Sequence, residues 1–199
     1  PLATIKKGQE VFHLRGLMLY GSFWGDGAER GPDFTADALH RTGVAMRSFY
    51  EQQAGGNLAQ YDKDAIDVRV IREIKTNTWN ESAKQIVIND AQIHAFNELK
   101  AHYTRMFNDP EYEEAFKPSG AISAPEDIEA LTAFFFWGGW VSGAERPGQT
   151  YSYTHNWPYD PSTGNLPTNQ TMVWSFVSIF GLFLGILVIF GASVIELGL

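Results

Sequence analysis

Cysteine is absent from this sequence of 199 residues. Disulfides, zinc–thiolate sites, iron–sulfur clusters and thioether-linked haem all require cysteine, so the sequence excludes them. We therefore predict that the chain holds no covalently bound cofactor. The first residue is Pro1 rather than Met, and we expect a chain that is processed, trimmed or taken from a longer one.

Catalytic motifs are absent as well. The sequence has no nucleophile elbow, phosphate-binding loop or dinucleotide fingerprint. Carboxylate pairs close in sequence lie at predicted helix starts or in a charged run, where the helix dipole or solvent accounts for them. Five histidines are present, none at a metal-binding spacing such as HExxH: His13, His40, His94, His102 and His155. No catalytic residue is predicted.

Basic residues are in the minority. Lys and Arg number 15 against 23 Asp and Glu, which gives a formal net charge of −8. This acidity argues against binding to nucleic acid and against adhesion to anionic lipid. We predict that the chain binds no nucleic acid.

A long apolar run lies near the end of the sequence. Residues 172–195 read MVWSFVSIFGLFLGILVIFGASVI, with no charge and three serines as the only polar side chains. A helix of that length measures about 36 Å, enough to cross a hydrocarbon core of about 30 Å. Trp174 suits the headgroup zone, and the GxxxG spacing of Gly181 and Gly185 suits a neighbouring helix. The run predicts one transmembrane helix in contact with lipid, with a buried helix of a soluble protein as the alternative.

The residues before this run predict a mainly helical domain. The first helix is expected from Thr4 to Leu19, and later helices follow from apolar residues at helical spacing. The expected starting residues of these later helices are Asp33 or Thr35, Asp62, and Asn89 or Asp90. Residues 75–90 change character and predict a short β-hairpin. The predicted fold class is therefore mainly α, with one small β-hairpin and one C-terminal transmembrane helix.

The last helix of this domain carries an unusual apolar half. Residues 123–126, SAPE, fit a capping box, and residues 131–140 read LTAFFFWGGW. A segment that is apolar nearly all round must bury against protein or lie at the membrane surface, and we expect it to dock on a membrane partner. The proline- and tyrosine-rich residues 146–168 predict an ordered connector. We therefore divide the chain into a domain (1–145), a connector (146–171) and a transmembrane helix (172–199).

Two long segments give the sequence a specific resemblance. Residues 6–41 read KKGQEVFHLRGLMLYGSFWGDGAERGPDFTADALHR, and residues 131–168 read LTAFFFWGGWVSGAERPGQTYSYTHNWPYDPSTGNLPT. The first resembles the start of the extracytoplasmic domain of quinol-dependent nitric oxide reductases, and the second resembles the end of that domain. The resemblance implies a cytochrome c-like fold that holds no haem.

The same region resembles the c-type subunit of the two-subunit nitric oxide reductases, in which a Cys-x-x-Cys-His motif precedes a Gly-x-Gly-Ala loop. The resemblance puts Leu17 and Tyr20 at the two cysteine positions and Gly21 at the histidine position. It therefore implies that haem attachment and ligation are both lost. Side chains would fill the pocket instead, and the expected ones are Leu17, Met18, Phe23 and Trp24.

The resemblance also implies a metal contact in the glycine-rich loop. In the two-subunit relatives a Gly-Ala-Tyr portion of this loop helps to hold calcium. Gly27 would offer a backbone carbonyl here, and Glu29 stands where the tyrosine is expected. A carboxylate suits calcium, but pairing of Glu29 with Arg30 or exposure to solvent is the alternative. One loop cannot supply six or more oxygens, so a partner would have to complete the site.

The resemblance implies a partner for the chain. In that family haem b, the non-haem iron and the quinol-oxidising site belong to a multi-span catalytic bundle, whereas this sequence has one predicted span. It implies a non-catalytic part of the enzyme in the inner cell membrane, with its soluble domain on the periplasmic side. A nitric oxide dismutase-type relative and a stand-alone membrane-anchored interaction module are the alternatives.

Overall fold

A computed structural model describes residues 2–25, 27–28, 31–109 and 122–197, with side chains as far as residue 195. The chain divides into two compact units, Pro1–Leu166 and Pro167–Leu199. The helices of the first unit in this described part are α1 (Leu2–Leu14), α2 (Phe34–Gln53), α3 (Gln60–Lys75), α4 (Asp90–Asn108) and α5 (Pro125–Gly143). This mainly helical composition confirms the predicted fold class.

Two helices begin at predicted capping residues. Asp33 precedes α2, and its side chain accepts a hydrogen bond of 2.8 Å from the Ala36 backbone N–H. Asn89 precedes α4 and forms a reciprocal capping box with Gln92. These side chains satisfy backbone donors that the first turn of a helix leaves without an internal partner.

Two predicted helix ends are wrong. Helix α1 ends at Leu14, because Gly16 adopts a left-handed conformation with φ of 63° and a 3₁₀ turn follows at Leu17–Leu19. The expected capping box before α5 does not form. Ala124 is the N-cap and makes no side-chain hydrogen bond, while Pro125 opens the helix with a ring that presets its backbone angle.

The predicted hairpin is confirmed. Strand β1 (Trp79–Asn80) pairs antiparallel with β2 (Gln85–Ile86). The Val87 N–H extends the pairing by donating to the Thr78 carbonyl at 3.0 Å. The hairpin is small and exposed, so it contributes little to the core.

The main core of the first unit lies between α1, α2, α4 and α5. Its buried members are Val11, Phe12, Leu17, Phe34, Ala38, Leu99, Tyr103, Met106, Phe107, Ile122, Ile128, Leu131, Phe134 and Phe135. Phe134 and Phe135 belong to the apolar run 131–140, for which the sequence predicts docking on a membrane partner. That expectation is wrong for this part of the run, because the two rings face the interior of their own domain.

The contact between α1 and α5 is unusually close. A side chain at Gly8 would overlap the backbone carbonyl of Ala130, so only glycine permits this approach. Lys7 pairs with Asp127 at 2.9 Å on the outside of the same interface. The first and last helices of this unit are therefore held together along their backbones.

The second unit contains the candidate membrane span. Helix α6 (Asn169–Leu197) begins three residues before the predicted run. Within its segment Asn169–Ile195, an 18-residue window reaches a mean hydropathy of 2.5, and none of that window is buried within the structure. It is long and apolar enough to cross a membrane.

Candidate functional site

The glycine-rich loop between α1 and α2 is organised around the buried carboxylate of Asp33. One oxygen accepts hydrogen bonds from the Ser22 hydroxyl and the Gly25 N–H, both at 2.7 Å. The other accepts from the Thr35 hydroxyl and from the first turn of α2. The Ser22 oxygen in turn accepts from the Gly27 N–H at 2.8 Å. A single inward-facing carboxylate therefore sets the path of the loop.

Tryptophans fix this loop to the rest of the first unit. The Trp24 backbone N–H donates to the Thr35 hydroxyl, and the Trp24 indole N–H donates to the Ser142 hydroxyl, each at 3.0 Å. The indole N–H of Trp157 donates to the Gly25 carbonyl at 3.2 Å. The loop is consequently tied to α2, to α5 and to the connector.

The positions expected for haem attachment lie against a filled interior. Leu17 is fully buried in the core. A methyl group at Gly21 would overlap the Pro32 carbonyl oxygen and come within 2.7 Å of the Phe34 ring. Buried side chains occupy this volume, and a histidine at position 21 has no room.

Stacked phenylalanines make up this interior. Phe34 and Phe135 stack with ring centroids 4.6 Å apart, and Phe23 and Phe134 stack at 4.2 Å. Two of the expected fillers, Leu17 and Phe23, are therefore placed as predicted.

The other two expected fillers lie elsewhere. Met18 is 62% exposed, because the 3₁₀ turn that buries Leu17 directs the next residue outward. Trp24 is partly exposed at the edge of the loop. Both assignments as pocket-filling residues are wrong.

The five histidines do not converge on one site. His40 and His102 lie beside Asp160 and Asp37 at 3.2 and 3.5 Å. The rings of the others lie against aromatic neighbours: His13 against Phe12, His94 against Phe49, and His155 against Tyr151. Among the described residues no group of three His, Asp or Glu side chains could hold a metal ion.

A polar cluster around Lys75 was not predicted from the sequence. Its ammonium group donates to the side-chain oxygens of Asn156 and Asn165 at 3.1 and 2.6 Å. These asparagines donate in turn to the Leu166 and Pro158 carbonyls, each at 3.0 Å. Burial lowers the pKa of Lys75 to about 8, although the nearby Glu145 opposes the shift. The cluster holds both halves of the connector to the end of α3.

Two further basic residues hold the connector on α2. The Arg47 guanidinium donates to the Ser162 carbonyl, and His40 lies 3.2 Å from the Asp160 carboxylate. Asp160 also accepts from the Ser162 N–H at 3.0 Å. The connector is therefore ordered up to Leu166, where the first unit ends.

The fold and this interior define a class of protein, namely a mainly helical domain that lacks the cysteines for covalent haem attachment. Residues 2–159 match the family model of the cytochrome c-like domain of the nitric oxide reductase NorB. The match covers most of the chain, which therefore belongs to the NorB family of nitric oxide reductases. No curated protein sequence matches the chain.

Haem and calcium, the groups that this family suggests, differ in how they fit the residues present. A haem bound as in cytochromes c does not fit, because there is no cysteine and the interior at Gly21 is filled. For calcium, the described part of the loop offers little: Asp33 is satisfied by four donors and faces inward. Glu29 lies outside the described residues, so Gly27 and Glu29 as calcium contacts stay predictions.

Proposed function

We propose that this chain is a non-catalytic part of a quinol-dependent nitric oxide reductase, an enzyme that reduces nitric oxide to nitrous oxide in denitrification and anaerobic respiration. The match of residues 2–159 to the NorB family carries the proposal. The chain forms either the first part of the enzyme or a separate subunit. It packs beside a multi-span catalytic bundle that contains haem b, non-haem iron and the quinol site.

Three features of the chain support a structural role in the enzyme. It has no cysteine for haem attachment. Its described residues contain no cluster of metal-binding side chains. Helix α6 exposes apolar side chains from Met172 to Ile195, as a helix in contact with lipid or with other spans does. The chain thus supplies a folded domain and a membrane anchor, and the chemistry is carried out by its partner.

The proposed location is the inner membrane, with α6 crossing it once and the first unit on the periplasmic side. Any calcium contact would be shared, with Gly27 and Glu29 providing one or two oxygens and the partner providing the rest. A matched pair of variants, Glu29→Gln and Glu51→Gln, tests this in the assembled enzyme. The first should lower calcium content and resistance to chelator, and the second, on α2, should change neither. Equal calcium content in both would contradict the contact.

A stand-alone membrane-anchored module is the second candidate. The burial of Phe134 and Phe135 favours it, because these rings do not need a partner to cover them. A nitric oxide dismutase-type enzyme is also compatible with the same domain. These candidates differ in what accompanies the chain and in what that assembly produces.

Purification of the tagged chain from its native membrane distinguishes the candidates. The expected result is a haem b spectrum in the purified material and consumption of nitric oxide that depends on a reduced quinol, with nitrous oxide as the product. Dinitrogen and oxygen as products would indicate the dismutase. Intact chain without haem b and without nitric oxide turnover would reject the proposal in favour of the stand-alone module.

A further inference from the structure

The outer surface of the connector differs in charge from the rest of the first unit. Between residues 147 and 168 the only Asp, Glu, Lys or Arg is Asp160. By comparison, helix α3 carries eight such residues in sixteen. The Asp160 side chain is only 11% exposed and faces His40 and Ser162. The solvent-facing side of this segment therefore presents no carboxylate and no ammonium or guanidinium group.

The backbone explains which side chains point outward instead. Asp160 and Asn165 pair antiparallel, each donating its N–H to the carbonyl of the other at 2.9 Å. Successive residues of an extended chain point to opposite sides, so the residues next to the inward-facing Asp160 and Asn165, namely Tyr159 and Leu166, are directed outward. Asn165 is fully buried, whereas Tyr159 and Leu166 are 64% and 56% exposed. The turn thus places one aromatic and one aliphatic side chain on the outside.

The covalent chain limits how far this pair can lie from a membrane. Leu166 is three residues before Asn169, where α6 begins. Three residues reach about 10 Å at most, and the headgroup region on each side of a bilayer is about 5–8 Å thick. If α6 spans the membrane from Met172 onward, Leu166 lies at most about 15 Å from the edge of the hydrocarbon core, within or just outside the headgroup region.

We propose that Tyr159 and Leu166 form a membrane-contact surface, with the lipid headgroup region as its partner. Tyrosine is enriched at this depth because its ring is apolar and its hydroxyl remains hydrated. The absence of outward charge matters here, because the chain is acidic and its carboxylates would be repelled by anionic lipid. The His40, Arg47 and Lys75 contacts keep the turn in place, so the surface is formed before it meets the membrane.

Because the chain has no cysteine, single labelling sites can be introduced without removing others. Tyr159→Cys carries an environment-sensitive fluorophore in the full chain, reconstituted in phosphatidylcholine vesicles with some nitroxide-headgroup lipid. Tyr61→Cys is the matched control, because Tyr61 is also an exposed tyrosine, on the charged helix α3. We expect several-fold stronger quenching at position 159 than at position 61. Leu166→Cys repeats the test at the second residue of the pair.

This inference rests on the membrane span that the proposed function assigns to α6. A second label therefore tests the span separately from the contact surface. A label at Leu187→Cys, within the apolar run of α6, should be quenched by lipid that carries the nitroxide on its acyl chain. Quenching at 187 with equal, weak quenching at 159 and 61 overturns the membrane-contact surface alone. No quenching at 187 overturns the span and this inference together. In native membranes, a label at position 159 that neither lipid nor aqueous quenchers reach is covered by protein. That result also overturns the membrane-contact surface.

Discussion

Truncation of Phe135 tests whether the apolar run of α5 is core or docking surface. Phe135 is fully buried, stacks on Phe34 at 4.6 Å and contacts the rings of Phe12 and Tyr103 at 5.9 and 5.1 Å. Removal of a buried phenylalanine costs about 3–5 kcal/mol, because apolar contact is lost and a cavity remains. We therefore expect Phe135→Ala to lower the free energy of unfolding of the first unit by about 4 kcal/mol.

The assay is thermal unfolding of the full chain in detergent, followed by near-ultraviolet circular dichroism. For a unit of this size 1 kcal/mol corresponds to roughly 2–4 °C, so the midpoint should fall by about 8–16 °C. Phe136→Ala is the matched control, because the next ring along the helix is only partly buried and meets Phe96 edge-on at 5.7 Å. We expect Phe136→Ala to lower the free energy of unfolding by less than half as much as Phe135→Ala.

If this run were a docking surface, the two variants would destabilise the isolated chain in the opposite order. If the isolated chain tolerates Phe135→Ala with a midpoint shift of less than about 2 °C, the ring is not part of the core and the packing argument is wrong. A larger loss for Phe136→Ala than for Phe135→Ala would refute it in the same way.

Three further changes test the loop and the connector by the same unfolding assay. Gly21→Ala should lower the free energy of unfolding by about 1–3 kcal/mol, because the added methyl group overlaps Pro32. Gly185→Ala is the control: it has no neighbour within 4 Å and should leave the midpoint unchanged. Equal effects of the two substitutions would contradict the filled interior. Asp33→Asn should lower the free energy of unfolding by about 2–3 kcal/mol, because an amide nitrogen replaces an oxygen that accepts two hydrogen bonds. The control Asp90→Asn, at an exposed position, should lower it little. If Asp33→Asn is tolerated, the carboxylate does not organise the loop. Folding lowers the pKa of Lys75 from 10.5 to about 8, so the unfolded chain binds more protons between these values and stability rises with pH there. Solvent screening reduces this gain in the free energy of unfolding to about 1 kcal/mol. Lys75→Met should remove the rise of stability with pH. An unchanged dependence of stability on pH in that variant would contradict the lowered pKa of Lys75.

Local signals explain what the sequence predicted well. Asp33 and Asn89 cap helices through hydrogen bonds to residues three positions away, so a short stretch of sequence contains both partners. The apolar run of α6 and the hairpin at Trp79–Ile86 are also local patterns. In each case the energetic reason for the element lies within the element.

Long-range contacts explain what could not be predicted. The partners of Lys75 lie 81 and 90 residues away, and no spacing rule connects an exposed-looking lysine with two loop asparagines. A run that is apolar on all sides, such as LTAFFFWGGW, has no periodicity that tells which neighbour it meets. The outward position of Met18 depends on Gly16, whose left-handed conformation turns the chain after α1.

The close approach of Gly8 to Ala130 has a consequence for the order of events during synthesis. Helix α1 ends at residue 14, but α5, against which it packs, ends at residue 143. At about 5–20 residues per second, roughly 6–25 s pass between the completion of the two helices. During that time Val11 and Phe12 have no α5 surface to cover them. The growing chain therefore carries α1 without its main packing partner until α5 has been made, and this interval is when aggregation and proteolysis compete with folding.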